Sequence, residues 1–160
     1  MMTVGCILVF LLVVFLVPNG NEWVLQQGRM AQAFLYHFFH GNIFHLLANS
    51  LSLYVIVPRS KTWHLIAAYV IASISALLIS SPIIGISNIV YALIGVRTPS
   101  FDSLWWRHPG TMIFFAVTLL MLFLPNVAGL THIICFVAGL AISIANRTFS
   151  RIKKDVARYV

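Results

Sequence analysis

The chain has 160 residues, of which 61% are hydrophobic and 8% are charged. A soluble domain is about 45–50% apolar and about 25% charged, so this composition excludes an ordinary water-soluble fold and predicts a membrane protein. The net charge is +7, but the basic residues occupy short loops and the C-terminal tail, which favours the lipid bilayer over nucleic acid as the partner.

Apolar stretches bounded by proline, glycine or charged residues predict six transmembrane helices. A helix needs about 20 residues to cross a bilayer core of about 30 Å, and fewer where the bilayer is thin. In chain order, the predicted spans cover about 3–17, 42–57, 63–79, 83–96, 111–124 and 127–145. The predicted fold is therefore all-α, a polytopic membrane protein with one domain over residues 1–160. The first span lacks a basic n-region and a small-residue cleavage site, so we expect a retained helix rather than a signal peptide.

The segment 20–41, between the first two spans, does not have the composition of a span. It carries Glu22, Arg29 and three glutamines, followed by a cluster of aromatic residues and histidines. A segment with this mixture is predicted to be an interfacial helix or loop that lies on one face of the membrane.

The distribution of basic residues predicts the orientation of the chain. With six spans, nine of the ten basic residues lie on one side of the membrane, and only Arg29 lies on the other. Lysine and arginine accumulate in cytoplasmic loops, so both termini are predicted to be cytoplasmic.

Polar side chains inside the predicted spans fall into three groups. His45 and Asn49 are four residues apart and share a helix face, as do Ser87 and Tyr91. Ser87 follows a stretch rich in proline and glycine, which predicts a place near a helix N-terminus, where backbone N–H groups can hold an anion. His132 has no acid in any span to pair with. Each group alone has a structural explanation in hydrogen bonds between or within helices.

Asn49, Ser87 and His132 share one predicted depth. The second, fourth and sixth spans enter from the same membrane face, and each residue lies about five to seven positions inside it. At a rise of 1.5 Å per residue this corresponds to a depth of about 8–10 Å. Unrelated structural residues have no reason to coincide in this way, so the pattern favours one catalytic site that water reaches from outside.

These residues resemble the motifs of the rhomboid family of intramembrane serine proteases. Three ordered motifs in the second, fourth and sixth spans carry the resemblance: His40-x4-His45-x3-Asn49, Gly85-x-Ser87-x3-Tyr91 and His132-x6-Gly139. The resemblance covers nearly the whole chain. It implies a six-helix rhomboid-like bundle of the minimal bacterial type, located in the bacterial inner membrane.

The resemblance implies a catalytic role for each motif. Ser87 would be the nucleophile and His132 the general base, in a dyad without an acid. Tyr91 would pack against the His132 ring. His45 and Asn49, together with the Ser87 backbone N–H, would form the oxyanion hole.

The remaining motif residues would support this site. His40 would hold water, Gly85 would allow backbones to approach closely, and Gly139 would let the fourth and sixth spans touch. The resemblance implies no metal and no cofactor.

The implied function is a serine endopeptidase that cleaves transmembrane segments of membrane proteins, which would be its partners beside the bilayer. The alternative is a catalytically silent rhomboid-like protein that binds transmembrane helices. A small transporter or channel would instead require a structural repeat or a charged pathway, and the sequence contains neither.

The sequence departs from the family pattern at three places. Asn88 stands where the family usually has a second glycine after the serine, and it is expected to crowd or polarise the site. Cys135 stands where a packing glycine is common. Ala31 and Gln32 occupy the positions of the usual Trp-Arg pair.

Overall fold

The computed structural model describes residues 30–78, 84–98 and 129–158, together with the single residues Gly5, Leu12, Val14, Leu16, Met112 and Ala116. All regular elements within these ranges are helices, which confirms the prediction of an all-α fold. The α-helices are α1 (Met30–Leu35), α2 (Ile43–Ile56), α3 (Thr62–Leu78), α4 (Ser87–Arg97) and α5 (Gly129–Val156). Short 3-10 helices follow α1 at Tyr36–Phe38 and α2 at Val57–Arg59.

Four of the predicted spans correspond to described helices. The bounds of α2 and α3 agree with the spans 42–57 and 63–79 to within one residue at each end. Among the described residues, α5 is the one helix both long and apolar enough to cross a bilayer, and α2 and α3 are shorter apolar helices. The spans 3–17 and 111–124 lie outside the described residues except for single positions, so the count of six stays a prediction.

The fourth helix begins at Ser87 and not near residue 83 as predicted. Gly85 adopts a φ of 102°, which interrupts helical geometry and which residues with a Cβ rarely adopt. Ser87 is therefore the first residue of α4, and every residue of this helix is buried. Since α4 packs against α2, α3 and α5, it forms the centre of the described helices.

Two glycines allow α4 and α5 to cross at very short range. A Cβ on Gly95 would collide with the backbone carbonyl oxygen of Phe136, and a Cβ on Gly139 would collide with that of Ala92. Small residues at such positions are what permit helices in membranes to bring their backbones together. This crossing fixes the beginning of α4 relative to the beginning of α5.

The helix α5 continues past residue 145, where the sixth span was predicted to end. The residues from Asn146 to Val156 include neither glycine nor proline, and lysine and arginine are good helix formers. The pair Asn146-Arg147 therefore ends the apolar stretch without ending the helix.

The described part of segment 20–41 packs on the helices. Ala33, Tyr36 and His37 are fully buried, and the Tyr36 hydroxyl donates a hydrogen bond to the carbonyl of Ala72 on α3 over 3.4 Å. The Tyr69 hydroxyl of α3 donates in turn to the carbonyl of Phe34 over 2.9 Å. The location of the segment at a membrane face stays a prediction.

Candidate active site

Ser87 and His132 lie within hydrogen-bonding distance of each other. The Ser87 Oγ is 2.9 Å from the His132 Nε2, across the contact between the first residue of α4 and the first turn of α5. Both residues are buried, with exposed fractions of 7% and 6%. In the tautomer protonated at Nδ1, the Nε2 accepts the hydroxyl proton, so the geometry suits transfer of that proton from serine to histidine.

The ring of Tyr91 holds the plane of the His132 ring. The two rings are stacked, with centroids 4.3 Å apart and planes inclined by 11°. Tyr91 lies one turn after Ser87 on α4, so a single helix presents both the hydroxyl and the ring that face His132. Among the described residues the His132 Nδ1 has no hydrogen-bond partner, so within that part of the chain stacking and the Ser87 contact orient the imidazole.

The His45 ring lies against Gly85. A Cβ built on Gly85 would lie 3.0 Å from the His45 Nε2 and closer still to its Cε1. His45 belongs to the first turn of α2, where its backbone N–H donates to the Asn42 Oδ1 over 2.9 Å. The N-terminal cap of α2 thus sets where the His45 imidazole meets the loop that precedes Ser87.

Asn49 lies one turn after His45 in α2 and is buried. Its Nδ2 has no hydrogen-bond partner among the described residues, and those include Ser87 and His132. The helix α2 packs against α4, so a buried amide donor is present in a helix adjacent to the nucleophile helix, but it is not bonded to the Ser87–His132 pair.

The His40 ring meets the His45 ring edge-on, with centroids 5.2 Å apart. The pKa of His40 is lowered to about 4, mainly by burial and also by the nearby His45. His40 is therefore neutral near pH 7 and can exchange hydrogen bonds without introducing a charge beside His45.

Asn88, the residue after Ser87, contacts segment 20–41. Its Nδ2 donates a hydrogen bond to the Tyr36 hydroxyl over 2.8 Å, and the Gly85 N–H donates to the Tyr36 carbonyl over 3.0 Å. This contact anchors α4 to segment 20–41, and the expectation that Asn88 crowds or polarises the site stays a prediction. Nothing in the sequence motifs had singled out Tyr36.

A second serine–histidine pair, which the sequence motifs did not reveal, joins the 3-10 helix after α1 to α3. The His37 Nε2 is 3.2 Å from the Ser73 Oγ, and the two residues are 0% and 1% exposed. Burial lowers the pKa of His37 to about 3. With the Tyr36 and Tyr69 rings close to the imidazole, this pair is enclosed and has the character of a packing contact. The separation of 36 positions between its members gives no sequence signal.

The described residues offer no arrangement suited to a metal. Within residues 30–78, 84–98 and 129–158, no group of three or more His, Cys, Asp or Glu side chains is close enough together to hold an ion. Cys135 is buried in α5 and forms no disulfide within the described residues, and it acts there as a small packing residue.

The chain matches a known family over most of its length. The family model described as Rhomboid domain matches residues 27–148, a range that contains every predicted site residue from His40 to His132. The comparison with curated proteins found no match.

Proposed function

The chain belongs to the rhomboid family, and from this premise we propose that it is an intramembrane serine endopeptidase that cleaves transmembrane segments of other membrane proteins. The family consists of integral membrane proteins and includes intramembrane proteases as well as inactive relatives. The observation that carries the proposal is the distance of 2.9 Å between the Ser87 Oγ and the His132 Nε2.

Ser87 acts as the nucleophile and His132 as the general base. A serine hydroxyl attacks a carbonyl only when a base removes its proton, and an imidazole in hydrogen-bonding contact performs this task. As the hydroxyl oxygen bonds to the scissile carbonyl carbon, its proton passes to the His132 Nε2. Stacking on Tyr91 keeps the ring in plane during this transfer.

Three groups stabilise the negative charge that develops on the carbonyl oxygen. The first is the backbone N–H of Ser87, which as the first residue of α4 has no carbonyl one turn earlier within the helix. The second and third are the His45 imidazole, against Gly85, and the Asn49 amide. One donor of this kind contributes about 3–4 kcal/mol to the transition state.

The second half of the reaction consumes water. His132, now protonated, gives its proton to the leaving amine, and the acyl-enzyme on Ser87 is then hydrolysed by a water that the same imidazole activates. His40 helps to retain that water. Substrates are membrane spans with helix-breaking residues near the cut, because an intact helix keeps its carbonyls in internal hydrogen bonds.

A catalytically silent, helix-binding rhomboid-like protein is the second candidate. The exposed fractions of Ser87 and His132, 7% and 6%, favour it, since a substrate carbonyl has to reach the hydroxyl. A binding protein, however, gains nothing from a serine and a histidine in hydrogen-bonding contact.

The proposed location is the bacterial inner membrane with both termini in the cytoplasm. The basic residues after the second, fourth and sixth predicted spans support this orientation. Fusion of a reporter that is active only in the cytoplasm to the C-terminus tests it, and an inactive reporter on a correctly inserted chain would argue for the opposite orientation.

Fluorophosphonate labelling of the purified, detergent-solubilised protein tests the proposed chemistry. We expect labelling of the wild type, none of Ser87→Ala, and a rate at least about 100-fold lower for His132→Ala, the lower range for a general base. Ser73→Ala is the matched control, because it removes the hydroxyl of the other serine–histidine pair, and it should be labelled like the wild type.

The outcomes separate the two candidates. A folded wild-type protein that is not labelled would favour the silent helix-binding protein. Labelling that survives Ser87→Ala would show that another residue is the nucleophile. If labelling follows the expected pattern, cleavage of a reconstituted model substrate with one membrane span then tests the endopeptidase activity itself.

A further inference from the structure

The C-terminal end of α5 extends beyond the bundle. The helix has 28 residues, which at 1.5 Å per residue gives about 42 Å, whereas a bilayer core measures about 30 Å. Its buried residues all lie in the first fifteen positions, and the last of them is Ser143. From Ile144 to Val156 every residue is exposed, so this end of the helix contributes no residue to the buried core.

The exposed end has two opposite faces. Arg147, Arg151 and Lys154 follow one another at intervals of four and three residues, which places them on one side of the helix. Phe149, Ile152 and Val156, at intervals of three and four residues, lie on the other side, and Lys153, four residues after Phe149, lies at the edge of that apolar face. The exposed fractions of Phe149, Ile152 and Val156 are 73%, 53% and 57%, which is unusual for three apolar side chains on one face of a helix in water.

The charge of this end is strongly positive. Residues 146–158 contain five basic side chains and one acidic one, Asp155. Asp155 lies 3.9 Å from Arg158, in an ion pair whose members are both largely exposed. Water screens such a pair, so the segment presents a net positive surface with an apolar face behind it.

We propose that residues 146–158 bind the surface of an anionic lipid bilayer. The face formed by Phe149, Ile152 and Val156 enters the upper acyl-chain region, and the arginines and lysines lie at the level of the lipid phosphates. This arrangement requires the helix axis to incline toward the membrane plane beyond Asn146. It depends on the membrane location of the family and not on catalytic activity.

The bilayer fits this surface better than a protein partner does. The segment continues directly from a helix long and apolar enough to cross the membrane, so the lipid surface is adjacent to it. Opposed cationic and apolar faces are the pattern of helices that lie at a lipid interface, and anionic headgroups attract the cations. Nothing about a narrow apolar stripe of three residues selects a particular protein surface.

The test measures the environment of the apolar face in the full-length protein. An environment-sensitive fluorophore is attached to Phe149→Cys in a Cys6→Ser background, and the buried Cys135 is retained. The parent protein without the new cysteine measures background labelling. Ser150→Cys, at the side of the helix nearer the cationic face, is the matched control.

The labelled proteins are reconstituted in phosphatidylcholine vesicles with and without phosphatidylglycerol. In the anionic vesicles we expect probe 149 to shift its emission to the blue, to resist aqueous iodide and to be quenched by spin-labelled lipid. Probe 150 should remain accessible to iodide. High salt should reverse the change at position 149, because salt screens exposed charges.

Charge variants provide a second test, because removal of basic residues and removal of the acidic residue should change the emission shift in opposite directions. Arg151→Gln combined with Lys154→Gln should weaken the blue shift at position 149, whereas Asp155→Asn should strengthen it. These residues are exposed, so the folded state of each variant is expected to be intact and is checked by gel filtration.

Three results would overturn the proposal. A probe at position 149 that is equally protected in neutral vesicles would be part of the membrane span. One that is accessible to iodide in both vesicles would project into water. Protection at position 149 that appears only at a high ratio of protein to lipid would mean that a protein surface, a second copy of the chain, covers this face.

Discussion

Asn88 donates a hydrogen bond to the hydroxyl of Tyr36 over 2.8 Å, one residue after the proposed nucleophile. The same tyrosine accepts a hydrogen bond from the Gly85 N–H at its carbonyl and donates one from its hydroxyl to Ala72 on α3. Tyr36 thus contacts the chain on both sides of Ser87. The residue that departs from the family pattern is part of the framework that holds the start of α4.

We expect Asn88 and Tyr36 to be coupled in stability. Tyr36→Phe leaves the buried Asn88 amide without its acceptor, which costs about 1–3 kcal/mol of unfolding free energy. Asn88→Ala should cost a similar amount, and the double variant should cost less than the two added together, with a coupling of about 0.5–3 kcal/mol. Denaturant unfolding in detergent measures all three variants. Strictly additive effects would show that the bond contributes nothing.

Asn88→Gly, which would create the glycine usual in the family, should not accelerate fluorophosphonate labelling. The Asn88 Nδ2 is bonded to Tyr36, so removal of the side chain loses an anchor of α4 one residue after Ser87, and glycine within a helix costs about 1 kcal/mol. Labelling rates of Asn88→Gly and wild type measure this. A rate increase in the glycine variant would mean that Asn88 does obstruct the site.

Gly139→Ala should separate α4 from α5 and abolish labelling. The added Cβ would collide with the backbone carbonyl of Ala92, and helix backbone cannot yield locally as a side chain can. Gly41→Ala is the control, because its Cβ would meet only the Ile84 Cγ2 at 3.9 Å, an ordinary contact. Labelling and thermal unfolding of both variants test the prediction. Retained activity in Gly139→Ala would contradict the close crossing.

Tyr91→Phe should retain labelling, whereas Tyr91→Leu should lose up to about tenfold in rate. The stacked pair holds the His132 plane through the ring face, and an aromatic pair contributes about 0.5–1.5 kcal/mol beyond its buried area. Phenylalanine keeps the ring and leucine keeps only bulk, so comparison of the two separates stacking from space filling. Equal rates in both variants would exclude a role for stacking.

Titration of His37 should make the folded protein less stable as the pH falls through the acidic range. Burial lowers its pKa from 6.5 in the unfolded chain to about 3 in the folded protein. Between these pH values the unfolded state binds more protons than the folded state. The contribution of His37 to the free energy of unfolding is therefore fully present above pH 6.5 and is lost as the pH falls toward 3. One proton accounts for at most about 1.4 kcal/mol per pH unit.

The variant His37→Gln tests this dependence, because glutamine still offers hydrogen-bonding groups to Ser73 and does not titrate in this range. Unfolding free energies measured in detergent across this pH window should give a shallower slope for the variant than for the wild type. Identical slopes would assign the acid sensitivity to other groups.

Much of the architecture could be read from the sequence, because lipid imposes strict demands on it. Apolar stretches of nearly span length have few alternatives to a helix, so α2 and α3 were predicted to within one residue at each end. The ends of α4 and α5 were less predictable. Helices in a bundle begin and end where local geometry decides, as at Gly85, and the end of an apolar stretch need not end a helix, as at Asn146.

The sequence by itself determined which residues make up the candidate site. They are motif residues in alternate predicted spans, and the rise of a helix predicts the depth of each in the membrane. Only the tertiary structure decided which groups touch. The crossing at Gly95 and Gly139 brings Ser87 to His132, and the bond from Asn88 to Tyr36 joins residues 52 positions apart. Helical periodicity fixes neighbours three or four residues away, whereas contacts between distant segments depend on how closely packed surfaces fit, and that information lies in no single stretch of chain.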